Sequence, residues 1–182
     1  MTRSVLIVAF AFSLSAHAAD APELLPVGTK APNFTLRTIN KEASGIRRAS
    51  LSRLVGPRAK EKGVKLVAVS FYATWCASCQ NEVPLLDKWA TQLKDQGFRA
   101  FVIGTDKGSE GKKKLTARVA ELGLSLPVFH DGLNVLMRRY KAAALPTFYL
   151  IGADGKIVYA KSGFSEKKGD AQKMLEAIRA NL

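Results

Sequence analysis

Between residues 66 and 93 the chain passes from one secondary-structure period to another, and both of its cysteines lie at the change. Leu66-Val67-Ala68-Val69-Ser70-Phe71-Tyr72-Ala73 is apolar and rich in β-branched residues, the pattern of a buried strand. The run breaks at residues 73–75, and Cys76-Ala77-Ser78-Cys79 follows. Beyond it Leu86, Trp89 and Leu93 recur at i, i+3 and i+7, one face of a helix. The two thiols therefore stand where a strand ends and a helix begins.

That placement has a chemical consequence. The first turn of a helix carries unpaired N–H groups and a partial positive charge, and both stabilise an anion. The thiolate of Cys76 is such an anion. A free cysteine has a pKa of about 8.5, and at helix N-termini values of roughly 3.5 to 7.5 occur. With a pKa near 7, about half of the thiol is ionised at neutral pH, against about 3% for an unperturbed one. Cys79, one turn further in, is expected to be more buried and less ionised. The pair reads as a two-step exchanger: Cys76 attacks a partner disulfide, and Cys79 resolves the mixed disulfide.

Trp75-Cys76-Ala77-Ser78-Cys79 after an apolar strand resembles thioredoxin. The fuller pattern formed by Trp75, Cys76, Cys79, Glu82, Pro84 and Leu86 is similar to the TlpA/ResA group of extracytoplasmic thioredoxin-like reductases, and the likeness runs from about Val27 to the C-terminus. The resemblance implies an α/β thioredoxin fold: a central mixed β-sheet flanked by helices, with an added N-terminal β-hairpin. It implies a catalytic role for Cys76 and Cys79, as a redox-active disulfide with no further cofactor, and for Pro146, whose match lies against the cysteine pair. It places Trp75, Leu145 and Pro146 at the substrate surface. In thioredoxin proper the position of Ser70 holds a buried acid that helps move the proton of the second cysteine. Glu82, one turn beyond Cys79, is a candidate to replace it as a base, since a partly buried Glu can have a raised pKa. The alternative is a glutamate on the helix surface.

The N-terminus reads as an export signal. Arg3 supplies a basic start, residues 5–14 are apolar, and Ala16-His17-Ala18 is a small-x-small cleavage site. The apolar run falls short of the ~20 residues a membrane helix needs. Residues 1–18 are thus expected to be a signal peptide, with an uncleaved anchor as the alternative, 19–26 a flexible leader, and 27–182 the thioredoxin-like domain. Export implies a periplasmic protein. Two cysteines this close make a poor structural staple, because so small a loop constrains the unfolded chain little. The formal charge is +13. The basic residues fall in scattered blocks, so they read as solvated surface rather than a nucleic-acid site.

The rest of the chain fits one domain. Val27 to Phe34 resembles the opening of the TlpA and peroxiredoxin branches. Residues 34–39 alternate as a strand, 40–45 form a turn, and 46–51 return. Residues 58–65 read as an enlarged surface loop. Pro84 lies inside the cysteine helix, where proline removes a backbone bond. A strand around 100–104 and a helix faced by Leu115, Val119 and Leu122 complete a β-α-β crossover. His130 is expected to be structural. Pro146 opens a strand at residues 147–151, as a residue that need not donate to the ladder can. The resemblance makes Leu145–Pro146 cis and lets Leu145 pair with an extended substrate strand. Asp154-Gly155 is a hairpin turn. Asp170 is expected to cap a last helix that lays Met174, Leu175, Ile178 and Leu182 on the sheet.

The resemblance points to a protein-disulfide reductase acting on oxidised exported clients as a monomer, with a membrane electron donor by analogy. Apocytochrome c is a family-level client, although the segment before Pro146 lacks the Gly-Val-x-Gly of the cytochrome-maturation branch. Two other classes compete. A peroxidase needs Pro-x-x-x-Thr-x-x-Cys, which residues 70–76 do not supply. A metal-handling thiol protein could bind Cu(I), but a closed zinc site wants four ligands.

Overall fold

The computed structural model describes residues 23–182. The expected signal peptide at 1–18 and residues 19–22 of the expected leader lie outside that range. Residues 24 and 25 pack on the sheet: Leu25 N–H donates to the Tyr149 hydroxyl at 3.1 Å.

Two short strands open the fold, β1 (Thr35–Arg37) and β2 (Arg48–Ser50), paired antiparallel with Leu36 opposite Ala49. The added hairpin is therefore present, but its connection is a helical turn, α1 (Lys41–Ser44), rather than a plain turn. Gly45 closes that turn at φ +66, a left-handed value that glycine adopts without cost. Asn40 fastens the hairpin to the body. Its Nδ2 donates to the Leu124 and Leu126 carbonyls at 3.1 and 2.9 Å, and its Oδ1 accepts from Val128 N–H at 3.0 Å. One more helical turn, α2 (Leu51–Leu54), precedes the loop at 58–65.

The central strand β3 (Leu66–Tyr72) is buried along its whole length. It leads through residues 73–76 into α3 (Ala77–Leu93). Then come β4 (Phe98–Gly104), α4 (Gly108–Glu121), β5 (Val128–His130), α5 (Val135–Arg139), β6 (Thr147–Gly152), β7 (Ile157–Ser162) and α6 (Asp170–Ala180). The sheet order is β5-β4-β3-β6-β7. Strands β3, β4 and β5 are parallel, whereas β6 and β7 run antiparallel to their neighbours. With partners on both edges and cover on both faces, β3 reads as a near-continuous apolar run, as sequences of this kind do.

Alternation along the strands splits the core. Leu66, Ala68 and Tyr72 face α3, α4 and α6, where Val83, Leu86, Leu115, Met174 and Ile178 are buried. Val67, Val69 and Phe71 face the N-terminal segment, α2 and α5. On that second face Phe34, Phe101 and Phe129 meet with ring centroids 5.6–6.2 Å apart, which binds the opening segment to the sheet.

Asp170 departs from its expected place. Gly169 holds the cap position of α6 and Asp170 is its first helical residue. Its carboxylate turns back to accept from Ser165 N–H at 2.8 Å and pairs with Lys161 Nζ at 3.0 Å.

Candidate active site

Sheet register brings the site residues together. Tyr72, the last residue of β3, lies opposite Gly104, and Thr105 N–H donates to the Tyr72 carbonyl at 2.8 Å. The next residue, Asp106, is buried and takes hold of the loop that follows β3. Its Oδ2 accepts from Thr74 N–H at 3.1 Å and its Oδ1 accepts from the Thr74 hydroxyl at 2.6 Å. His130 closes against the same residue, with Nε2 2.6 Å from the Asp106 carbonyl, so the expected structural role has a partner. On the helix side Gln80 Nε2 donates to the Thr74 carbonyl at 3.0 Å, and Arg118 of α4 donates to Gln80 Oε1. Thr74 is thus fixed from the segment after β4 and from α3 at once, two residues before the first cysteine.

Cys76 is the N-cap of α3 and is joined to Cys79 in a disulfide. The Cys79 N–H donates to Cys76 Sγ at 3.2 Å, and Ser78 Oγ stands 3.6 Å from the same sulfur. One of the unpaired donors of the first turn is therefore aimed at Cys76, the arrangement that favours its thiolate. Cys76 is 6% exposed and Cys79 fully buried, while Trp75 stands 74% exposed beside them.

Pro146 reaches the same edge through β6. Thr147 lies opposite Phe71 in the register, so the preceding residue falls level with the end of β3. The Leu145–Pro146 bond is cis, as the resemblance implied. Pro146 is buried, its carbonyl accepts from Gly163 N–H at 2.8 Å, and Leu145 packs on the cluster that contains both cysteines.

Glu82 is not on the helix surface. It is 1% exposed, and its Oε1 accepts from the Ser70 hydroxyl at 2.6 Å. Its Oε2 is buried without a hydrogen-bond partner among the described residues. Burial pushes its pKa up to about 7, against the lowering pull of the Ser70 hydroxyl and the Lys161 ammonium, while Asp170 raises it. The two positions singled out in sequence, a serine where thioredoxin has an acid and a glutamate one turn past Cys79, are one hydrogen-bonded pair. Two features had no sequence signal that named them: the Asp106 clamp on Thr74 and the Lys161–Asp170 ion pair. Ser70 did carry one, since a hydroxyl in the middle of a buried strand needs a partner. Among the described residues no group of three or more His, Cys, Asp or Glu side chains is gathered as a metal ion would require.

A mixed sheet whose central strand runs into a helix capped by a Cys-x-x-Cys disulfide defines a thioredoxin-like thiol–disulfide oxidoreductase. Comparison with known proteins agrees and places the chain more closely. Residues 27–160 match the AhpC/TSA family, and the chain belongs to it. It is 31% identical over 153 residues to the thiol-disulfide oxidoreductase ResA of Oceanobacillus iheyensis, covering 84% of this chain and 73% of that protein. It is 30% identical over 159 residues to ResA of Bacillus subtilis, covering 87% and 80%. Among solved structures, a Chlorobium tepidum protein described as a thiol:disulfide interchange protein DsbE has a TM-score of 0.72 at 24% identity, covering 86% of this chain and 98% of that one, a likeness of fold.

Proposed function

We propose that the protein reduces disulfides in exported client proteins. The observation that carries this reading is the aim of the Cys79 N–H at Cys76 Sγ, 3.2 Å away, at the start of a 17-residue helix. In the dithiol form that donor and the helix dipole lower the pKa of Cys76. The Cys76 thiolate attacks one sulfur of the client disulfide and displaces the other as a thiolate, which takes a proton from solvent. Cys79 then passes its proton to Glu82, three residues on and buried beside it, and its thiolate attacks Cys76 Sγ. The client leaves with both sulfurs reduced and the protein carries the disulfide. Two electrons pass to the client, and a membrane-bound dithiol donor returns them in the next cycle.

In this reading Trp75, Leu145 and Pro146 form the surface that receives the client segment. Residues 1–18 direct export to the periplasm, and the enzyme works there as a monomer. Among the described residues no helix is long and apolar enough to cross a membrane.

Trapping tests the proposal. In a Cys79→Ser variant the attack by Cys76 cannot be resolved, so mixed disulfides with exported proteins accumulate and dissolve on treatment with a thiol reductant. A Cys79→Ser protein that captures nothing in the exported compartment, alongside a wild-type protein that does not reduce insulin, would remove the basis for a client reductase.

A further inference from the structure

We propose that Lys161 and Asp170 form a positioning pair that sets how readily Glu82 takes and returns the proton of Cys79. The proposal rests on the reading of Glu82 as the proton acceptor of the resolving cysteine.

The pair faces Glu82 because of the sheet register. Ser70 of β3 lies opposite Phe148 of β6, and Phe148 lies opposite Lys161 of β7. Residues directly opposite one another project to the same face, so Ser70, Phe148 and Lys161 form one row across the sheet. Two strand spacings, roughly 10 Å, separate the ends of that row. The lysine stem shortens the gap to its ammonium, and Ser70 already holds Glu82 at 2.6 Å. Asp170, at the first turn of α6 on that face, meets Lys161 Nζ at 3.0 Å. Neither side chain is on open surface, since Lys161 is 19% exposed and Asp170 8%. Phe148, the middle member of the row, is buried, so little water screens the interaction.

Among the described residues, Ser70 of β3 donates to Glu82, Lys161 of β7 and Asp170 of α6 act on its charge, and its charge in turn acts on Tyr159 of β7. Cys79 lies three residues back on the same helix, one turn away. Of these, Lys161 and Asp170 carry the permanent charges. A bare ammonium at this distance would hold Glu82 ionised and weak as a base. An unopposed Asp170 would hold it protonated and unable to accept. With both present the two fields oppose each other, and burial, the largest influence, holds the pKa up at about 7, where the proton affinity suits an acceptor that must also release. An ion pair this far from water gains little net stability from its Coulomb attraction, which leaves its placement on the Glu82 face to be accounted for.

The proposal predicts opposite signs for two substitutions. The titration of Glu82 is followed in the full-length oxidised protein by the ¹³C shift of its side-chain carboxyl, identified by its loss in Glu82→Gln. Lys161→Met moves the midpoint up and Asp170→Asn moves it down, each by roughly one pH unit. The double variant returns it close to the wild-type position, and Lys161→Arg leaves it in place. The pH at which a Cys76–client mixed disulfide resolves follows the same shifts. A pair that only braces α6 against β7 moves neither midpoint, or moves both the same way, and that result overturns the inference. If Lys161→Met does not fold, the downward shift in Asp170→Asn decides alone. The relay itself fails separately: resolution in Glu82→Gln with the pH dependence of wild type would sink the role of Glu82 whatever the two midpoints do.

Discussion

Replacing Glu82 by Gln should remove a pH dependence from the stability of the fold. The carboxyl has a pKa of about 7 in the folded protein against an ordinary value of 4.5, chiefly through burial. The folded state therefore binds this proton more tightly than the unfolded state. Stability from this group is complete below about pH 4.5 and is lost as pH rises through 7. The full difference of 2.5 in pKa corresponds to about 3 kcal/mol, at 1.36 kcal/mol for each factor of ten. At pH 5 roughly 1 kcal/mol of it has been lost, and at pH 8 nearly all. Gln keeps an oxygen for the Ser70 hydroxyl but puts an NH₂ where Oε2 has no partner, which costs about 1–3 kcal/mol at every pH. That cost does not depend on pH, so the test is how the difference between the two proteins varies with pH. Urea denaturation of both disulfide forms at pH 5 and pH 8 should show the wild type losing about 2 kcal/mol more than the variant. That is close to a 1 M difference in midpoint shift for m near 2 kcal/mol/M. Parallel pH profiles would mean that Glu82 ionises as an exposed carboxyl does, and the argument for a raised proton affinity would fall.

Three other outcomes are expected. Asp106→Asn replaces a carboxylate that accepts from both the N–H and the hydroxyl of Thr74, so the protein should lose about 2 kcal/mol in chemical denaturation. Gly111→Ala should destabilise by roughly 1–3 kcal/mol despite the better helix propensity of alanine, because its Cβ would lie 2.5 Å from the backbone carbon of Asp106; an unchanged melting curve would contradict that contact. Trp75→Ala, at a side chain 74% exposed, should leave stability within about 0.5 kcal/mol while raising the KM for a protein disulfide, and equal KM values would remove Trp75 from the client surface.

Much of the fold was legible because its signals are local. The apolar run at 66–72, the helical spacing after Cys79, and the Asp154-Gly155 turn all appear where their patterns place them. The hairpin was legible as a pair of strands but not in its connection. Asn40 looks like a turn residue in sequence, and its side chain is instead spent on carbonyls 84 and 86 residues away. Asp170 looks like a helix cap for the same reason, since aspartate before an amphipathic run is a common start signal. Its carboxylate is taken up by Lys161 and Ser165, and the left-handed Gly169 holds the cap position in its place.

The sequence by itself determined the chemistry of the cysteine pair. Strand, cap and helix follow one another along the chain, so the first sulfur meets helix donors whatever surrounds it. Only the tertiary structure decided which polar side chains stand behind that pair. Ser70 meets Glu82, Asp106 meets Thr74, and Lys161 meets Asp170 because sheet order and register bring them level. A buried polar atom must find a partner, but residue type and spacing say only that it needs one, and the packing of strands and helices chooses which.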